Sequence, residues 1–423
     1  MLEQYNIQAT KQYFFLCLLF AVSLISCENK TNSAPLFIEQ PIFINGVGGY
    51  ECYRIPAIVS NNKGILFAFA EGRVNDCGDY GNVDILLSIS KDNGDHWSIP
   101  KKIIDKDKYQ AGNAAPVYDF TDPRYPNGRL FLFFNTGNAS EYDVRMGIGD
   151  RKVWFTTSPN DGIDWDVPTD ISNQVHFNKE NSRLDKDWRA HANTPGHGIQ
   201  LTKGKYKGRL YIAANHSTGD FKSDASDYQT YGYYSDDHGE TWKVSPDINW
   251  PSSNEAIAAE LPNGKLMLNI REQNGQSKRR LVAISDQGGE TWNEVFLDSN
   301  LISPVCQSSL INYSNNKENT LLFSGPNSTE KRHKMSVFRS KDNGKTWPVI
   351  KEVYAGTSAY SDLTILKNSQ IGLLGDTGNA AGKQPHVHYS ILSLVPMPWL
   401  YTTQSQGWKK MFFLSPHDKL KTN

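Results

Sequence analysis

Metal-binding and redox residues are scarce in this chain, which holds 5 Cys, 6 Met and 10 His in 423 residues. No group of Cys and His has the spacing of a zinc site, so no metal centre is expected. An excess of one charge is missing too. The 44 Lys and Arg almost cancel the 45 Asp and Glu, leaving a net charge of −1. Nothing global therefore draws the chain to nucleic acid or to an anionic membrane surface. Long charge runs and low-complexity blocks are absent. One apolar run stands out, Phe14 to Ile25. At about a dozen residues it is too short to span a bilayer.

That run has the length of a signal-peptide core and follows Lys11. It ends Leu24-Ile25-Ser26-Cys27, which resembles a bacterial lipobox. The resemblance implies cleavage at residue 26 and lipidation of Cys27, with Glu28 fitting an outer-membrane destination, facing the periplasm or the cell surface. An ordinary secretory signal with a chance cysteine is the alternative. Residues 1–26 are then a signal peptide and 27–40 a polar tether. Cys17 leaves with the signal, and Cys52, Cys77 and Cys306 remain. An exported chain can oxidise Cys52 with Cys77, but an odd count leaves at least one thiol free, and sequence does not fix the pairing.

What the chain has in quantity is aromatic residues, at 12%, and one short pattern, S-x-D-x-G-x-x-W. Ser90–Trp97, Ser235–Trp242 and Ser340–Trp347 match it fully. Ser158–Trp165 carries Asn160 in the Asp slot and Ser285–Trp292 carries Gln287. The pattern makes sense as a tight turn. The Asp or Asn side chain bonds backbone N–H groups ahead of it, Gly supplies positive φ, and Trp plugs the turn. Five copies make an internal repeat.

A second repeat runs in step. Six apolar strands follow turns rich in Gly or Asn: Ile65–Phe69, Leu130–Phe134, Leu210–Ala214, Leu266–Ile270, Leu321–Phe323 and Ile371–Leu374. Upstream partners are Arg54–Val59, Ala114–Tyr118, Gly198–Leu201, Ala256–Leu261, Ser308–Ile311 and Ser361–Leu366. The order predicts an all-β fold, a six-bladed β-propeller of four-stranded antiparallel blades with Asp-box turns. It occupies residues 41–405, with 406–423 as a tail. The polar stretch from Ile171 to Asn193 reads as a loop on one blade.

Propeller geometry brings first-strand starts and second-strand ends together at one mouth. The starts are Arg54, Asn113, His197, Glu255, Gln307 and Tyr360, and the ends Arg73, Asn135, His216, Arg271 and Asp376. Arg332 begins a third strand nearby. Guanidinium forks at a cavity floor bind carboxylates in bidentate fashion, so a compact polar acid is the expected ligand. A carboxylate nucleophile would be repelled by an anomeric carboxylate, whereas a phenol beside a Glu avoids that repulsion. The loop after Arg73 offers Asp76, Asp79 and Asp84 as general acids.

These residues resemble the exo-α-sialidases (neuraminidases) of bacteria and animals over roughly residues 40 to 400. Tyr53-Arg54-Ile55-Pro56, Ala68–Arg73, Asn254-Glu255, Asn269-Ile270-Arg271, Arg332 with Met335-Ser336-Val337, and Ala359–Leu363 each match a family motif. The resemblance implies that Arg54, Arg271 and Arg332 clamp the substrate carboxylate. It also implies that Glu255 deprotonates a Tyr360 nucleophile and that Asp79 is the acid. Arg73 is expected to contact the ring's far substituents or to orient Asp79. Asn113 and Gln200 are expected as further substrate contacts. The mechanism needs no cofactor or metal, and a monomer acting on sialylated glycans is implied. A trans-sialidase using the same residues, or a propeller lectin, are the alternatives; the lectin would be expected to lack Tyr360, Glu255 or Asp79.

Overall fold

The computed structural model describes residues 38–177, 187–313, 318–378 and 386–392. The signal peptide, Cys27, the tether up to residue 37, and everything after residue 392 lie outside the described residues. The described chain is almost all β, and its antiparallel ladders group into four-stranded units. The first is Cys52–Ser60, Leu66–Arg73, Val83–Ser90 and Lys101–Ile104. The second runs from Gln110–Asp119 through Arg129–Gly137 and Arg151–Ser158 to Thr169–Asp170, and touches the first through one parallel pair, Val83 with Gln110. The third is built on Leu210–Thr218 and the fourth on Ser253–Glu260 with Leu266–Glu272. The 17-residue strand Val349–Ile365 serves two units. Its first half is the outer strand beside His333–Ser340, and its second half is the inner strand beside Ile371–Thr377. Ile38–Phe43 closes that last unit by pairing with His386–Leu392, so the N-terminal strand completes a sheet begun by the C-terminal ones.

Inner strands of successive units pack against one another, and the last, Val349–Ile365, packs against the first, Cys52–Ser60. Side chains on both faces are therefore covered, which is why Leu66–Arg73 and Leu266–Glu272 are buried along their whole length. The apolar clusters lie between units. Phe67 and Phe69 of the first unit meet Leu130, Leu132 and Phe134 of the second.

The repeated turns form as their sequence predicts. In Ser340–Trp347, Ser340 Oγ accepts from Gly344 N at 2.9 Å and Asp342 Oδ1 accepts from Thr346 N at 2.9 Å. Both Asn343 and Gly344 take positive φ, 59° and 82°. Trp347 is buried against Phe323. The Gln287 copy keeps the serine bond, Ser285 Oγ to Gly289 N at 3.0 Å, and its Trp292 Nε1 donates instead to Pro246 O of the preceding unit.

The third unit departs from expectation. Its inner strand starts with Trp188–Asn193, which pairs with Leu210–Thr218, and Ile199–Gln200 is only its distal end. The segment read as a loop thus holds a short helix, Ser172–Val175, and the start of an inner strand. Thr194-Pro195-Gly196-His197 breaks the ladder, because Pro195 has no N–H to give it. The fragment beyond the break, next to the turn, was the only part that resembled a strand.

Candidate active site

At one end of the inner strands the ladder register slips in five units, between Arg54 and Ala57, Gly112 and Ala115, Trp188 and His191, Ser253 and Ala256, and Ser358 and Ser361. Such bulges bend the strand and re-aim side chains. They are accompanied by positive φ at Ile55 (61°) and Asn113 (54°). The side chains re-aimed this way include Arg54, Asn113, Glu255 and Tyr360.

Tyr360 lies at the centre. Its Oη donates to Glu255 Oε1 at 2.6 Å. Arg271 Nη1 donates to Glu255 Oε2 at 2.6 Å and to Tyr360 Oη at 3.0 Å. Asn254 Oδ1 accepts the Glu255 N–H at 2.8 Å and so fixes the backbone behind the carboxylate. Burial and the Glu255 charge push the Tyr360 phenol well above its ordinary range, while Arg271 and Arg332 oppose them. The phenol is therefore protonated in the free protein, with its proton already directed at a carboxylate.

Two further guanidiniums flank the ring. Arg54 Cζ is 5.5 Å and Arg332 Cζ 5.6 Å from the Tyr360 ring centroid. Arg54 is held by Asp376, Nε to Oδ2 at 2.9 Å, and Arg332 Nη2 donates to Val305 O at 2.8 Å. Burying three like charges is unfavourable without anions. Asp376 and Glu255 supply two, and a ligand carboxylate would supply a third.

Asp79 sits on the loop after Leu66–Arg73, with its side chain 82% exposed and tied to Arg73 Nη1 at 2.8 Å. Partial burial pushes its pKa up, but Arg73, Arg54 and Arg332 outweigh it and hold Asp79 below the ordinary aspartate value. Asp76 and Asp84 are occupied elsewhere: Asp76 Oδ1 caps Gly78 N, and Asp84 accepts from Tyr50 Oη at 2.7 Å. Of the three aspartates, Asp79 is the one tied to the arginines. A disulfide joins Cys52 to Cys77, with a Cα–Cα distance of 5.2 Å, and Cys306 is a buried free thiol.

Tyr360, Glu255, Asp79, Arg73 and Asn113 line one cavity, with Arg54, Arg271 and Arg332 packed around Tyr360. Gln200 is not brought there. Its Nε2 donates to Asp119 Oδ1 at 2.6 Å and Thr121 Oγ1 at 2.8 Å, and it lines a separate cavity beside Ile58, Val117 and Leu310. His197 lines that cavity too and pairs with Asp362 Oδ1 at 2.7 Å. Both lie beyond the Pro195 break, at the distal end of their strand. The place expected for His197 is taken by His191. Glu71 was missed: its Oε2 accepts from Arg73 Nη2 at 2.7 Å and its Oε1 from Asn113 N at 2.8 Å. Period-two spacing from Arg73 along the strand was the available signal. Gln110, Glu141, Arg151 and Asn215 also line the cavity, and no sequence pattern marked them.

Residues 64–373 match the BNR repeat-like domain model. The chain belongs to the Asp-box (BNR-repeat) sialidase family. It is 31% identical over 363 residues to a sialidase of Micromonospora viridifaciens, covering 81% of this chain and 53% of that protein. The chain thus spans about half of that relative's length. A Bacteroides fragilis sialidase is 28% identical over 360 residues, covering 78% of this chain and 60% of its own length. Among solved structures, a Hadza microbial sialidase superposes with a TM-score of 0.71 at 26% identity, covering 85% of this chain and 69% of that one.

Proposed function

We propose that the chain is a retaining exo-α-sialidase that removes terminal α-linked sialic acids from glycoconjugates, and that its units close as a six-bladed propeller. The contact between the first and last inner strands supports the ring. The observation that carries the activity is the 2.6 Å hydrogen bond from Tyr360 Oη to Glu255 Oε1 amid three arginines. A lectin has no use for a phenol poised on a base.

The substrate carboxylate binds Arg54, Arg271 and Arg332, which sets the anomeric carbon at Tyr360. Glu255 takes the phenol proton as Tyr360 Oη bonds to that carbon. The glycosidic bond breaks, and its oxygen takes the proton of Asp79. In the second step Asp79 removes a proton from water, water bonds to the anomeric carbon, the tyrosyl bond breaks, and Glu255 returns the proton to Tyr360. Asp79 must begin protonated, although the free protein holds it ionised. The negative charge of the substrate carboxylate, bound at Arg54 and Arg332, offsets part of the positive field that holds it down. Asp79, Glu255 and Tyr360 are thus the catalytic residues, and Arg73 orients the acid.

Incubating the purified chain with a fluorogenic α-sialoside and a natural sialyl-oligosaccharide, followed by product analysis, tests the reading. Free sialic acid is the expected product. An anhydro or transferred sugar would indicate a trans-sialidase, and binding without cleavage a lectin. We also propose export as an outer-membrane lipoprotein, which the Leu24–Cys27 sequence supports. An intact mass showing acylation of Cys27 is the expected result; cleavage elsewhere without lipid contradicts it.

A further inference from the structure

Glu71 takes no part in any step above. Its side chain is 1% exposed, so any effect it has on the reaction passes through its partners. It stands opposite Arg54 in the first ladder and on the same face of its strand as Arg73. One oxygen, Oε2, accepts from Arg73 Nε at 3.1 Å and from Arg73 Nη2 at 2.7 Å. The other, Oε1, accepts from Asn113 N at 2.8 Å, reaching from the first unit to the bulge of the second. Gly112 leaves the room for it, since an added Cβ there would run into Oε1. Both carboxylate oxygens are therefore fixed.

What they fix in turn is Arg73. A guanidinium is rigid and planar, so anchoring Nε and Nη2 on Glu71 sets where Nη1 points. It points at the acid loop: Nη1 donates to Cys77 O at 2.6 Å, Gly78 O at 3.0 Å and Asp79 Oδ1 at 2.8 Å. Glu71 also matters through its charge. Partial burial pushes the Asp79 pKa up, and Arg73 is foremost among the cations that pull it down. Paired with Glu71, Arg73 offers Asp79 a donor whose positive charge is largely offset. Without Glu71 the whole charge would bear on Asp79 and hold it in the ionised form, which has no proton to give. We propose that Glu71 is a positioning residue for the general acid, aiming Arg73 at the Asp79 loop and offsetting its charge; the inference rests on the sialidase reading.

The test compares two leaving groups on the full chain. A sialyl-oligosaccharide departs as a sugar alkoxide and needs the acid, whereas a fluorogenic aryl α-sialoside departs as a stabilised phenolate and needs it little. Glu71→Gln should lower kcat/KM about a hundredfold on the oligosaccharide and less than about fivefold on the aryl substrate. Its alkaline limb should move to lower pH, because Arg73 then holds Asp79 ionised more strongly. Gly112→Ala displaces the Glu71 carboxylate without removing its charge, and should also slow the oligosaccharide more than the aryl substrate. Melting curves check that each variant is folded, and if Glu71→Gln is not, Gly112→Ala decides. Equal losses on the two substrates, no loss on either, or an unmoved limb in folded Glu71→Gln would overturn the inference. Failure of the native chain to cleave either substrate would overturn the sialidase reading itself, so the two failures are distinguishable.

Discussion

Cys77 is bonded to Cys52, which lies directly opposite Arg73 in the first sheet. The strand that carries Arg54 therefore also anchors the loop that carries Asp79. The acid sits two residues beyond the bridge on an otherwise exposed loop, so its reach to the leaving group depends on this link. Cys52→Ser and Cys77→Ser should lower kcat by about ten- to a hundredfold, with a smaller change in KM, since positional error at a reacting group is costly in rate. They should also remove about 2–5 kcal/mol of stability. Steady-state kinetics with and without reductant check this. Unchanged kcat in the reduced, folded protein would show that the bridge is only structural.

Tyr360→Phe should reduce kcat by about 10³-fold or more while KM stays the same or falls, because the arginines still hold the carboxylate. Glu255→Gln should behave alike, since Tyr360 loses its proton acceptor. A rise in KM with kcat preserved would mark both residues as binding groups.

The pH profile follows from Asp79. Its pKa is lowered in the free protein, chiefly by Arg73, Arg54 and Arg332 working against burial. The substrate carboxylate, bound at Arg54 and Arg332, offsets part of their positive field, so the acid's pKa rises in the complex. The alkaline limb of kcat should then lie at higher pH than that of kcat/KM. Coincident limbs would contradict the linkage.

Cys306 packs against Tyr360 and Ile55, and burial pushes its thiol up to about 11. It should resist iodoacetamide at pH 8 in the native protein, with activity retained. Rapid alkylation with loss of activity would show that the Tyr360 pocket opens.

Much of this was legible in the sequence because turns and strand ends have local chemistry. The Ser340–Trp347 type of turn is written in the residues that make its hydrogen bonds, and five of the inner-strand partners followed from the turns beside them. Arg54, Arg271, Glu255 and Tyr360 came from one geometric rule about strand ends. The rule failed at the third unit, where Pro195 splits the inner strand and the half nearer the turn was taken for the whole. His197 was misplaced for that reason, and Gln200, expected from the family resemblance and not from this rule, lies in the same distal half. Glu71, Glu141, Arg151 and Asn215 were not found because what places them is neighbouring strands and an inserted helix, which sequence spacing does not report.

The central claim is that Tyr360 becomes covalently bonded to the sugar. A 3-fluorosialosyl fluoride slows both steps, and the second more, so an adduct accumulates. Peptide mass spectrometry of the labelled chain should then find the sugar on the peptide bearing Tyr360, and find none on the Tyr360→Phe variant. Rapid turnover-dependent inactivation with the label on Glu255 or Asp79 would contradict the account.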